Sequence, residues 1–99
     1  MYGTIARFKI RPGCREEFIR TMDGFGDAVI DGWAADYYFQ TDADGNEFYL
    51  VAIFEDRESY QANADSSDQH GRYLKFRSFL VADPEWHDGI IVSATGPKS

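Results

Sequence analysis

The chain has 99 residues, 17 acidic against 10 basic side chains, and a formal charge of -7. That length supports one domain with a modest core, burying roughly two-thirds of its unfolded surface. An acidic chain without a basic stripe repels phosphate backbones and anionic membrane surfaces, and no apolar run approaches the ~20 residues of a membrane span, so nucleic-acid and membrane roles are set aside. Aromatic residues make up 16% of the chain, and so much ring surface must enter a core, a pocket or an interface. Cys14 is the one cysteine, which excludes an intrachain disulfide and suits a reducing, cytoplasmic setting.

Tyr2 to Ile10 alternate as a strand, with Tyr2, Thr4, Ala6, Phe8 and Ile10 on one face. Arg11-Pro12-Gly13 reads as a turn. A helix follows from about Cys14, with Glu16 and Glu17 in its first turn and Phe18, Met22, Phe25 and Val29 as its apolar stripe. Gly24 and Gly26 weaken its C-terminal half. Residues 33–41 form a second strand, with Trp33, Ala35, Tyr37 and Phe39 expected on one face and Ala34 and Tyr38 on the other. Asp42 to Asn46 is a hairpin loop, and residues 47–55 are a third strand, apolar without a break from Phe48 to Phe54.

Asp56 can cap a short helix through about Ala64. Ser66-Ser67-Asp68-Gln69 has capping-box spacing for another helix reaching about Ala82, before Asp83-Pro84 stops it. Residues 89–95 read as the last strand and 95–99 as a loose tail, so the core spans about 2–94. The order βαββαβ, with the second helix split, predicts an α+β, ferredoxin-like fold with a four-stranded antiparallel sheet and helices on one face. Two helices cover only one side of such a sheet, whereas the third strand has no polar phase. A homodimer through the sheet face is therefore expected.

With that order, the Lys9-Ile10-Arg11-Pro12-Gly13 exit, the Phe54-Glu55-Asp56-Arg57-Glu58-Ser59-Tyr60 junction, and Arg72-Tyr73 with Arg77 on the long helix, the chain resembles the antibiotic biosynthesis monooxygenase domain, a family of dimeric α/β barrels. The resemblance implies chemistry in a cleft between sheet and helices. Some members oxidise aromatic polyketides with dioxygen and no cofactor, and others cleave haem or handle quinols or small signalling molecules. The Asn, Trp and His of haem-cleaving members fall on Ala6, Asn63 and Tyr73 here, so that triad is absent, with His70 three residues from its last position. Asn63 is the position carried over from the polyketide-oxidising members.

Each candidate has a plainer reading beside it. His70 could serve as a base toward a phenol or simply sit part-exposed on its helix. Tyr73 and Arg77, one turn apart, could donate hydrogen bonds and hold an anion, or Arg77 could pair with a surface acid. Asn63 could cap its helix or face the cleft. Tyr37 and Tyr49 could line the cleft or pack. Trp33 and Trp86 read as packing anchors, His87 and Asp88 as adjacent residues facing apart, and Cys14 as an inert thiol. The histidines and scattered carboxylates form no metal-ligand set. The expectation is a cofactor-independent, monooxygenase-like protein acting on a small phenol- or quinol-like aromatic. His70, Tyr73 and Arg77 would be catalytic, with Asn63, Tyr37 and Tyr49 binding substrate. The alternatives are a non-catalytic dimeric domain that binds a small ligand or serves a stress or regulatory role, and a haem-binding or haem-degrading protein.

Overall fold

In the computed structural model, residues 1–97 are described; Lys98 and Ser99, the end of the expected tail, lie outside them. In chain order they form β1 (Tyr2–Lys9), α1 (Arg15–Gly24), a single 3-10 turn (Phe25–Asp27), β2 (Trp33–Gln40), β3 (Glu47–Phe54), α2 (Arg57–Ala64), α3 (Ser67–Arg77) and β4 (Glu85–Ile90). The strands make one antiparallel sheet in the order β2-β3-β1-β4. This is the ferredoxin-like α+β plan that the strand and helix periodicities predict. No helix among the described residues is long and apolar enough to cross a membrane.

Alternation in β1 and β3 sends Ala6, Phe8, Phe48 and Leu50 to the helix side. There they meet Phe18 and Met22 of α1, Phe76 of α3, and Phe79 and Leu80 just beyond it. Phe18 is fully buried, and its ring lies 5.4–6.2 Å from those of Phe8, Tyr38, Phe48, Phe76 and Phe79. Edge-on and tilted contacts at such distances add to the gain from burial alone. Asp56 caps α2 by accepting the Ser59 amide at 2.7 Å. Ser66 caps α3 by accepting the Gln69 amide at 3.1 Å, but the Gln69 side chain accepts from Arg72 at 3.1 Å instead of completing the box.

Four boundaries or faces depart from the sequence expectation, each for a visible reason. The first helix stops at Gly24, and Val29 leaves the stripe for solvent, because the chain must climb out of the 3-10 turn toward β2. The long helix ends at Arg77, short of Ala82, because the end of β1 claims the next residues. Arg11 donates to Phe79 O, Val81 donates to Lys9 O, and Ile10 bridges Leu80. The last strand is Glu85–Ile90 rather than 89–95. It pairs with β1 from Arg7 back to Tyr2, and Ile91 donates to Met1 O just beyond it.

The fourth departure matters most for the site. A β-bulge between Trp33 and Ala35 sets both beside consecutive residues of β3, leaving Ala34 over. Trp33 therefore joins Asp36 and Tyr38 on the helix side, while Ala35, Tyr37 and Phe39 keep the open side. The extra residue in one strand shifts the phase of every side chain before it.

Gly32, just before the bulge, has φ +77°, and a Cβ there would come within 2.4 Å of the Ser59 side chain. Both the left-handed backbone and the close approach of α2 require glycine. Gly32→Ala is expected to cost about 1–3 kcal/mol in urea unfolding. Phe18→Ala, which empties the centre of the aromatic cluster, is expected to cost about 3–5 kcal/mol.

Candidate functional site

Side-chain size along the two central strands decides where the sheet and helices fail to touch. On the helix face β3 runs Phe48, Leu50, Ala52, Phe54, and β1 runs Phe8, Ala6, Thr4, Tyr2. Rings stand at both ends. The Phe18 cluster holds one end, while Tyr60 packs on Tyr2 and Phe54 at 5.2 and 5.5 Å at the other. Between them Thr4 and Ala52 make a low floor, and over it lies a cavity of about 340 Å³. That volume is at the lower end of what small-molecule sites use.

The cavity is walled by Phe54, Tyr60, Tyr73, Phe76, Trp33 and Trp86, with Met22, Phe25 and Ile30 closing the α1 side. Tyr73 and Phe76 approach the Trp86 ring at 6.4 Å, which ties α3 to the edge strand β4. Polar side chains interrupt this lining on the α2–α3 side, where Asn63, Gln69, His70 and Arg72 stand, and on the floor. Asp36 is the one carboxylate among the lining residues, and its Oδ1 accepts the Trp33 indole N–H at 2.9 Å. Crowding by the cavity wall raises the Asp36 pKa above the ordinary 3.8, partly offset by the Trp33 hydrogen bond. Asp36 nonetheless remains solvent-exposed, which keeps the effect small. Burial, with the negative charges of Asp36 and Asp23, also raises the Tyr38 phenol, which therefore stays neutral at any physiological pH.

Thr4 is 4% exposed, and its hydroxyl makes no close hydrogen bond among the described residues, although it lies beside the Tyr60 phenol and eases that group's ionisation. A buried hydroxyl left so costs stability, and its presence on a floor of otherwise apolar residues calls for a cause. Tyr60 Oη donates to Asp88 at 2.9 Å. Burial first, then that carboxylate, pushes the Tyr60 phenol up to about 12.

Of the residues singled out in the sequence, Asn63, His70 and Tyr73 line the cavity. Asn63 does not spend its side chain on a helix cap. Its Oδ1 accepts from Arg72 at 3.2 Å, joining α2 to α3 at the rim. His70 stands exposed at that rim and Tyr73 deeper along the same helix. Arg77 is not among the lining residues: it points to Asp83 at 2.8 Å and Leu80 O at 3.2 Å, the surface pairing weighed against its catalytic reading. Tyr37 and Tyr49 also lie elsewhere, on the open face of the sheet, because their register partners are Val51 and Arg7 on that side.

Asp36, Thr4 and Arg72 were missed as site residues. The first two had a signal, a polar residue on an apolar strand face; Arg72 had none beyond its place one residue before Tyr73. Among the described residues no three His, Cys, Asp or Glu side chains gather as metal ligands.

Two stability measurements bear on these polar groups. Thr4→Val, nearly isosteric, removes the unpaired hydroxyl and is expected to gain about 1 kcal/mol in urea unfolding. For Asp36, a folded-state pKa above 3.8 means that folding disfavours the ionised form. The penalty is absent below 3.8 and grows as pH rises through the folded value. Asp36→Asn is therefore expected to raise Tm at neutral pH, with the gain vanishing in acid; a gain that persists at low pH would show that charge is not the cause.

The fold recurs among solved structures. One described as an antibiotic biosynthesis monooxygenase from Chloroflexus aurantiacus superposes with TM-score 0.76 at 21% identity, covering 96% of each chain. A Mycobacterium tuberculosis protein gives 0.75 at 18%, covering 96% of this chain and 98% of that one. SnoaB from Streptomyces nogalater, a cofactor-independent oxygenase, gives 0.75 at 14%, covering 94% of each. At these identities the likeness shows the fold alone. No curated protein matches the sequence. The antibiotic biosynthesis monooxygenase family profile matches residues 1–75, from β1 through most of α3, and the chain belongs to that family.

Proposed function

We propose that the protein is a cofactor-independent oxygenase for a small phenol- or quinol-like aromatic bound over Ala52. The observation that carries this reading is the aromatic-walled cavity whose one lining carboxylate, Asp36, accepts an indole N–H. A carboxylate within hydrogen-bond reach of a substrate hydroxyl serves as its proton acceptor. Asp36 takes the substrate's hydroxyl proton, and the electron pair stays on the substrate oxygen and enters the ring. The electron-rich ring then reduces dioxygen. One oxygen atom enters the substrate, and the other leaves as water with two hydrogens from the substrate, so no external reductant is consumed. Tyr73 and His70 remain candidates for hydrogen bonds from α3, and the Arg72–Asn63 contact holds the rim. SnoaB, similar in fold, is described as an oxygenase of this cofactor-independent kind.

The open face of the sheet supports the dimeric half of this reading. Ile5, Tyr37 and Phe39 are 49%, 61% and 62% exposed there, next to Val51 and Ile53. Side chains of that size on adjacent strands form a patch that a monomer rarely leaves in water. A second copy related by a two-fold axis would cover it. Sedimentation of the wild-type chain should give a dimer, and Phe39→Glu should give a monomer; a wild-type monomer at micromolar concentration would refute this.

Oxygen uptake with dihydroxylated aromatics tests the catalytic half. The wild-type protein should consume dioxygen, and Asp36→Asn should slow it about a hundredfold at neutral pH. Tight aromatic binding with no oxygen uptake would overturn catalysis and favour the ligand-binding alternative.

A further inference from the structure

Burial separates the cations of this chain into two groups. Arg7, Arg72 and Arg77 are half-buried, and every other described Lys or Arg is exposed. A charge drawn partly out of water needs a partner of opposite sign. Arg7 has Glu47 at 2.6 Å and Arg77 has Asp83 at 2.8 Å. Arg72 has none among the described residues, although the chain carries 17 acidic side chains. Its Nε donates to Gln69 Oε1 at 3.1 Å and its Nη2 to Asn63 Oδ1 at 3.2 Å, both neutral acceptors.

Those two contacts fix what this side of the rim offers. Asn63, Gln69 and Arg72 all line the cavity, and Arg72 is the one Lys or Arg that does. Both amide oxygens turn to the guanidinium, so the amides have their amino groups left, and these only donate. Arg72 keeps three of its five N–H groups, two on Nη1 and one on Nη2. The amides therefore hold the fork by its Nε–Nη2 edge and leave the Nη1–Nη2 edge, which a carboxylate can meet with two parallel hydrogen bonds. Donors gathered around an uncompensated positive charge fit an anionic pair of oxygens.

We propose that Arg72, held by Asn63 and Gln69, binds a carboxylate on the ligand, so that the preferred ligand is a hydroxyaromatic acid rather than a neutral phenol or quinol. This rests on the hydroxyaromatic reading above and narrows its substrate class. The hydroxyl lies toward Asp36 on β2, at one edge of the sheet. The carboxylate lies toward α3, which Trp86 ties to β4 at the other edge. Asp36 repels a ligand carboxylate and Arg72 attracts it, so the two side chains set one orientation of the ring. Arg72 is a specificity residue in this arrangement, and Asn63 and Gln69 position its fork.

The test is an anaerobic calorimetric titration with a hydroxynaphthoic acid, hydroxyl and carboxylate at opposite ends of the rings, and with its methyl ester, which keeps the shape and removes the charge. The wild type should prefer the acid roughly tenfold, the worth of one charge-assisted pair at a part-exposed site, and less in high salt. Arg72→Gln should abolish the preference by weakening the acid alone, and Arg72→Lys should keep part of it. Asn63→Asp, nearly isosteric, supplies Arg72 with a carboxylate from its own chain and should abolish the preference with Arg72 still in place. Equal wild-type affinities, or Arg72→Gln weakening acid and ester alike, would overturn the carboxylate site while the hydroxyaromatic reading stood. Binding of neither ligand would overturn both.

Discussion

Packing around Phe18 sets the separation between the helices and the sheet, and most of the remaining structure follows from it. Phe8, Phe48, Phe76 and Phe79 surround its ring with no gap, so α1, α3 and the sheet are pinned at one end at aromatic thickness. Tyr60 on Tyr2 and Phe54 props the other end. Helices are stiff over this length and cannot sag to meet Thr4 and Ala52 between the two supports. The cavity is thus the consequence of small residues set between large ones, and it persists because the flanking packing is tight.

The cavity gains its chemistry from a local irregularity. Without the bulge, a regular β2 would carry Trp33 to the open face along with Tyr37 and Phe39. The extra residue returns the indole to the helix side, one hydrogen bond from Asp36. Gly32 makes that turn possible by accepting a left-handed backbone under Ser59. The left-handed turn at the entry to β2 and the charge in the cavity are in this way parts of one arrangement.

The opposite face follows another logic. Three helices on one side leave Ile5, Tyr37, Phe39, Val51 and Ile53 without a covering layer among the described residues. The same alternation that fills the core produces this second apolar surface. A net charge of -7 opposes indiscriminate association between copies.

Alternation in β1 and β3, the caps at Asp56 and Ser66, and the glycine turn at Gly13 are local properties of a few adjacent residues, and they were legible in the sequence along with the fold class and family. His70 and Tyr73 were legible as cavity residues from helical spacing on α3, whereas Asn63 came only through the resemblance to the polyketide-oxidising members of the family. Arg77 was not separable from Tyr73 by spacing alone; only the turn after α3, drawn in by the end of β1, brings Asp83 within its reach. The edge strand at Glu85–Ile90 was hidden because its side chains are largely solvent-facing and show no apolar period. The sequence by itself determined the first three strands, the three helices in outline, and that one sheet face lacks a cover, since these depend on period and amount of apolar surface. Tertiary structure alone decided the phase of Trp33 and the pairing of Asp36, Ala52 and Thr4 in one row. Register is settled by contacts between strands far apart in the chain, and a one-residue bulge that local propensity does not reveal reverses which face a side chain takes.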